Sequence, residues 1–334
     1  MKDFLYFETG SVDPAYNLAA EEYLFERLSG EEPCLMLWQN DRTIVVGKHQ
    51  NTAEEINAAY VRDHGIRVVR RLSGGGAVYH DLGNLNYTLI TKAPPSGQLD
   101  LSYFCHPVIE TLATFGVRAE VSGRNDMTLD GKKFSGNSQY IRDGRLLHHG
   151  TLMFDSDLTV LGQALKVSRD KYESKGLKSV RSRVTNLRDY LPEEVTLSVF
   201  KEALARRLAG EGASTPYSFT EADLTAISAL QKSRYETWEW NYGRSPAYAL
   251  EKKRRIEGVG TLTLSLNVEK GRIRDLALSG DFFGEGLTEA LSARLKGCAL
   301  EEEAVRAALR GASAELEKAV HHLGAEDLTA LLLY

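Results

Sequence analysis

The 334-residue chain is poor in cysteine: Cys34, Cys105 and Cys298 are odd in number, far apart and free of any CxxC spacing. That excludes a disulfide framework and a cysteine zinc site, and it suits a reducing compartment, with the cytoplasm as the expected location. Long apolar runs are missing too. None approaches the roughly 18 residues of a membrane helix, and the amino-terminal Met-Lys-Asp-Phe-Leu-Tyr-Phe-Glu lacks the apolar core of a signal peptide, so no membrane partner is expected. Charge of one sign is not in large excess. A net charge of −5 gives no general attraction to nucleic acid or anionic lipid. At 43% hydrophobic and 26% charged, the composition is that of an ordinary globular protein with room for one large core or two domains.

Several catalytic signatures are absent as well. Gly131-Lys132 is followed by Lys133 and lacks the earlier glycine of a Walker loop. Gly74-Gly75-Gly76 does not continue as G-x-G-x-x-G, because Tyr79 stands where the last glycine belongs, and it leads into a strand rather than a helix. There is no G-x-S-x-G elbow and no H-E-x-x-H.

What is present centres on Arg70 to Asp81, which reads Arg-Arg-Leu-Ser-Gly-Gly-Gly-Ala-Val-Tyr-His-Asp. A β-branched run, Ile66–Val69, precedes it, and Asn86–Thr91 after it has the pattern of a second strand. Three glycines in a row have little packing value and an entropic cost. They fit a backbone that needs positive φ or a close approach, and open N–H groups beside Arg70 and Arg71 suit a phosphate or carboxylate. Alternation along a strand sends the two arginines to opposite faces, so one of them reaches the loop's ligand. Taken alone, the same residues also fit a glycine-rich hairpin with solvated arginines.

Along the chain, Phe4–Glu8 reads as a strand, and Asp13-Pro14 opens a helix with Ala15, Leu18, Ala19 and Glu22 on one stripe. Leu35–Trp38 and Thr43–Val46 read as strands around the turn Asn40-Asp41. Thr52-Ala53-Glu54-Glu55 fits a capping box for a helix that stops near Gly65. Leu101–Phe115 is helical. Asp130-Gly131 and Asp143-Gly144 are tight turns within an antiparallel meander from Ala119 to Phe154, so the core is not a doubly wound parallel sheet. Lys166–Arg188 carries eight cations against Asp170 and Glu173, which reads either as a solvated mobile loop or as one that closes over an anion. Helices follow at Leu197–Leu208 and Glu221–Ser233. Trp238–Pro246 marks a boundary, and an α+β segment runs from about Ser245 to the end.

Lys133 is the leading candidate for chemistry. It shares a strand with Lys132 but faces the other way, and beside Ser135, Gly136 and a carboxylate such as Asp126 it could hold an anion as a point charge. An exposed edge-strand lysine that discourages aggregation is the plainer alternative. His148 and His149 are adjacent on a strand and so cannot chelate one metal together; no metal ligands are expected.

These motifs also carry a resemblance. Arg-Arg-Leu-Ser-Gly-Gly-Gly-Ala-Val-Tyr-His-Asp-Leu-Gly-Asn resembles the signature of the lipoate–protein ligases, within the wider biotin/lipoate transferase family. Ser122–Asp126, Lys133–Gly136 and His148–Leu152 are similar to successive motifs of that family, in order. Ser179–Leu187 resembles its adenylate-covering loop, and Trp238–Gly243 the stretch before its accessory domain. The resemblance implies an α+β protein: a catalytic domain over residues 1–244 like those of class II synthetases and biotin ligases, with a largely antiparallel sheet, and a small α+β accessory domain over 245–334. It implies ATP- and Mg²⁺-dependent conversion of lipoate to lipoyl-adenylate, then transfer to a lysine of apo lipoyl domains in 2-oxoacid dehydrogenase subunits or of the glycine-cleavage H protein. Arg71, Gly76, Ala77, Val78 and Tyr79 would bind ATP, and Lys133 would contact both nucleotide and lipoate. Leu72 stands where many relatives carry a small polar residue, and Asn137-Ser138-Gln139 where some have Ser-Ala-Tyr. Three rival readings are an ATP-independent octanoyl- or lipoyl-transferase using Cys105 as nucleophile, a non-catalytic binder of lipoyl domains or nucleotide, and a biotin ligase, whose own arginine-glycine loop pattern differs.

Overall fold

The computed structural model describes residues 5–27, 33–94, 100–123, 125–165, 183–209, 217–242, 250–269, 272–286, 288–299 and 302–333. The chain forms two compact units. One comprises Met1–Val45, Ile56–Val69 and Val78–Asn241; the other comprises Val46–Glu55, Arg70–Ala77 and Tyr242–Tyr334. The glycine loop thus belongs to the same unit as the carboxy-terminal segment.

The strands in chain order are β1 (Leu5–Glu8), β2 (Cys34–Trp38), β3 (Thr43–Val46), β4 (Arg67–Arg70), β5 (Val78–His80), β6 (Asn84–Lys92), β7 (Glu120–Ser122), β8 (Asp126–Leu129), β9 (Lys132–Arg142), β10 (Arg145–Met153), β11 (Leu250–Ile256), β12 (Gly260–Glu269) and β13 (Arg272–Gly280). In the first unit a seven-stranded sheet runs in the order β1-β2-β6-β10-β9-β8-β7. Only the β1–β2 pair at one edge is parallel; the remaining pairs are antiparallel. The largely antiparallel sheet expected from the meander is present. Its tight turns follow from residue type: Asp130 and Gly131 both take positive φ, +49° and +72°, which closes the two-residue β8–β9 hairpin.

One face of this sheet presents Leu85, Tyr87 and Leu89 to a core built with Cys105, Val108 and Leu112 of the helix Leu101–Thr114 and with Phe200 and Leu204 of the helix Leu197–Ala209. The helix Pro14–Arg27 lies on the other face. It is capped as the sequence implied, Asp13 Oδ1 accepting from the N–H groups of Ala15 and Tyr16 at 2.8 and 3.1 Å. This helix is buried almost all round, and Glu21 and Glu22 are buried with it. Such carboxylates need partners. Glu22 has Tyr235 OH at 2.7 Å and the guanidinium of Arg234.

Three local expectations differ. The helix expected from Thr52 to Gly65 is two pieces, Thr52–Glu55 and Ala58–Asp63. Ile56 bridges Leu165 and Asn57 N–H bonds Ala164 O, so tertiary pairing pulls these residues out of the helix. The Thr52 hydroxyl accepts from Arg70 Nη2 at 2.7 Å. β2 and β3, read around the turn Asn40-Asp41, join different sheets, because buried Asn40 is held by Asn17 and His80. The helix from Glu221 ends at Leu230 and widens into a π-helical turn, Gln231–Tyr235, which brings both Arg234 and Tyr235 onto Glu22. Most of the basic stretch, residues 166–182, and the boundary residues 243–249 lie outside the described residues.

In the second unit β11, β12 and β13 form an antiparallel sheet whose inward Leu262, Leu264 and Leu266 pack on the helices Glu289–Leu295, Glu302–Ala308, Ser313–Ala319 and Ala325–Leu333. The clean alternation over Thr261–Leu266 is what places these leucines on one face.

Candidate active site

The β8–β9 hairpin carries Lys133. Thr128 pairs with Lys133 but Met127 pairs with Ser135, so Phe134 is an inserted residue and β9 bulges there. The bulge drives Phe134 into the core and leaves Lys133 on the opposite face. At this point β10 has already left β9, and the backbone of Lys133 is taken up by the last residues of the basic stretch. Lys133 N–H donates to Arg183 O at 2.8 Å and Thr185 N–H to Lys133 O at 2.9 Å.

The ammonium of Lys133 lies 2.7 Å from Asp126 Oδ1, each side chain about 35% exposed. The expected carboxylate partner is therefore present, and Lys132 is exposed while Lys133 is half-buried rather than buried. Gly136 makes the arrangement possible: a Cβ there would stand 2.9 Å from Lys133 Nζ and 3.1 Å from its Cε. The Gly136 N–H donates to Thr151 Oγ1 at 3.2 Å.

Strand register shows what shares this face. Asp126 is opposite Gly136, Thr151 opposite Asn86, and Asn86 opposite Trp38. The neighbouring row is Ser138, His149, Thr88 and Met36. Here Trp38 Nε1 donates to Thr88 Oγ1 at 3.0 Å, Thr88 Oγ1 donates to Glu21 Oε1 at 2.6 Å, and His149 Nδ1 lies 2.9 Å from the same oxygen. Sequence reasoning missed this network. Its only signals were carboxylates on an apolar helix stripe and the adjacent histidines, which do diverge. His148 is fully buried on the core face between Tyr87 OH at 3.2 Å and Gln139 Nε2 at 3.1 Å, and burial holds it well below the usual imidazole range.

The nucleotide candidates divide between the units. Val78 and Tyr79 lie in β5 of the first, with Tyr79 buried and its phenol pushed up to about 12 by that burial. Arg71, Gly76 and Ala77 lie in the second. The two arginines diverge as alternation requires. Arg70 donates to the carbonyls of Gly47, Lys48 and Gln50, whereas Arg71 donates to Gly74 O at 2.6 Å, Gly76 O at 2.9 Å and Ser73 Oγ at 3.1 Å. Arg71 therefore shapes the loop from within. Gly75, at φ +90°, donates its N–H to Phe282 O at 3.1 Å rather than leaving it open. A Cβ on Gly74 would stand 2.0 Å from that same carbonyl. Close backbone approach within the protein explains that glycine.

Cys105 is a packing residue in this fold. It is fully buried, its Sγ donates to Leu101 O at 3.1 Å, and burial pushes the thiol up to about 12. A thiol so suppressed is a poor nucleophile.

The first unit thus offers an antiparallel-rich sheet with a lysine–carboxylate pair on one face, and the carboxy-terminal segment a small α+β body. The comparisons make that specific. The lipoyl protein ligase A/B catalytic domain profile matches residues 13–209, and the bacterial lipoate protein ligase C-terminus profile matches 245–332. A lipoate-protein ligase of Bacillus subtilis, LplJ, is 46% identical over 302 residues, 90% of this chain and 91% of that protein. Two solved structures share the fold. A bi-partite lipoate protein ligase of Thermoplasma acidophilum, studied with its E2 lipoyl domain, is 29% identical with a TM-score of 0.63, covering 75% of this chain and 100% of that one. A lipoate-protein ligase A bound with ATP is 26% identical with a TM-score of 0.60, covering 73% and 99%. The chain belongs to the lipoate–protein ligase family.

Proposed function

We propose that this enzyme activates lipoate with ATP and transfers the lipoyl group to a lysine of an apo lipoyl domain. The lipoate carboxylate attacks the α-phosphorus of ATP, pyrophosphate leaves, and the acceptor ε-amine then displaces AMP from the acyl carbonyl. Bringing two anions together demands fixed positive charge. The observation that carries the reading is Lys133: a cation held by Asp126 over the bare Cα of Gly136, with its backbone clasped on both sides. In this reading Lys133 contacts both the carboxylate and the nucleotide, and holding them in line supplies much of the acceleration.

Arg71 and Gly76–Tyr79 bind ATP, Arg71 also fixing the loop through its carbonyls. The strip of sheet from Gly136 and Thr151 toward Trp38 and Met36 takes the acyl chain. Mg²⁺ enters this reading on the phosphates of the nucleotide substrate, where it neutralises the leaving pyrophosphate. Acceptors include 2-oxoacid dehydrogenase subunits and the glycine-cleavage H protein. Residues 1–244 form the catalytic domain and 245–334 an accessory domain, in keeping with the two profile matches. No described helix is long and apolar enough to cross a membrane, and the free cysteines fit a cytoplasmic setting.

The test is to incubate the protein with lipoate, Mg–ATP and an apo lipoyl domain, following acceptor mass and pyrophosphate. A lipoyl mass increase that requires ATP is expected. Acceptor modification from an acyl-carrier thioester without ATP would overturn the ligase reading.

A further inference from the structure

Behind the Lys133–Asp126 pair, on the core side of the sheet, sits a buried polar lock that no step above uses. β8 begins at Asp126, and the residue before it, Asn125, has left the regular ladder. In an antiparallel pair of this kind the two residues exchange both N–H···O bonds. Asn137 N–H donates to Asn125 O at 2.9 Å, but the return bond comes from a side chain, Asn125 Nδ2 donating to Asn137 O at 2.8 Å. Asn137 Nδ2 adds a second bond to the Asn125 carbonyl at 3.2 Å and reaches Ser135 Oγ at 3.3 Å.

The orientation of the Asn137 amide is set by Tyr87, whose phenol donates to Asn137 Oδ1. Full burial keeps that phenol protonated, and therefore a donor. Gly150, opposite Asn137 in register, leaves the space: a Cβ there would stand 2.1 Å from Asn137 Oδ1 and 2.5 Å from the Tyr87 ring. Asn137 is 2% exposed and Tyr87 fully buried. Polar groups so deep must be satisfied or they destabilise the core, and apolar side chains would pack there without that risk. An amide does what they cannot: it fixes the direction of the Asn125 carbonyl, and with it the path of the chain into Asp126.

We propose that Asn137 is a positioning residue for the activation step, acting through Asn125 to hold the Asp126 carboxylate against Lys133. It touches no substrate, and the inference rests on the assignment of Lys133 to that step. The experiment measures lipoate-dependent pyrophosphate release by Asn137→Ala and Tyr87→Phe, each made in the wild-type protein and in an Asp126→Ala background, with Tm as a folding control. Asn137→Ala is expected to lower kcat roughly 10- to 100-fold, the cost of a misplaced reacting group, while leaving KM for ATP unchanged. Tyr87→Phe lowers it in the same sense by a smaller factor. In the Asp126→Ala background neither change adds a further loss, because the residue they act through is gone. Equal losses in both backgrounds, or an undiminished kcat, would overturn the inference. Should Asn137→Ala fail to fold, Tyr87→Phe, which removes one oxygen, decides by the same comparison. An inactive wild type would instead overturn the ligase reading and this inference with it.

Discussion

Replacing Gly136 by alanine separates what the site needs for folding from what it needs for chemistry. The new methyl would stand 2.9 Å from Lys133 Nζ and 3.1 Å from Cε, well inside van der Waals contact, so the flexible lysine end must swing aside. The stability cost is small. An ion pair whose partners are each about 35% exposed contributes roughly 0–1 kcal/mol, and Gly→Ala in an extended backbone returns about 0.4–1 kcal/mol through the unfolded state. The two effects offset to within about 1 kcal/mol. Catalysis responds differently, because displacing a reacting group by on the order of 1 Å costs ~10²-fold in rate, equivalent to about 2.7 kcal/mol of barrier. Thermal unfolding and lipoate-dependent pyrophosphate release on one preparation test both halves. A Gly136→Ala protein of normal Tm that activates lipoate at the wild-type rate would refute the placement of the Lys133 ammonium at the reacting groups.

Lys133→Ala is expected to lower adenylate formation by on the order of 10²–10³ in a folded protein, and Lys133→Arg to fail as well, since a planar guanidinium does not replace a compact ammonium; pyrophosphate release reads both. Cys105→Ala should keep its activity and lose about 1 kcal/mol of stability, with no acyl-enzyme thioester detectable by mass spectrometry. Buried His148 gives a pH dependence whose sign is set by its lowered proton affinity in the fold. Below an unfolded value of about 6.5 the unfolded chain takes up a proton that the native state refuses, so stability falls with falling pH by up to ~1.4 kcal/mol per pH unit. Urea titrations between about pH 5 and 7 should show a shallower slope for His148→Gln than for the wild type.

Much of this protein is local in origin and therefore legible in its sequence. Asp130-Gly131 closes a hairpin whatever surrounds it, because both residues accept positive φ; Asp13-Pro14 starts a helix for equally local reasons; and alternation over Thr261–Leu266 fixes which side chains enter the carboxy-terminal core. The Lys133–Asp126 pair was within reach too, since hairpin pairing brings those residues together. Tertiary structure decided the rest. The helix expected from Thr52 breaks at Ile56 because Leu165, far along the chain, offers it a better pairing. Gly74 is a glycine because the Phe282 carbonyl, two hundred residues later, comes within reach of its Cα. The Glu21–His149–Thr88–Trp38 network needs a helix and three strands in register before any of its members has a partner. Bonds between residues close in sequence are written in residue type; bonds across the sheet exist only once the register is set.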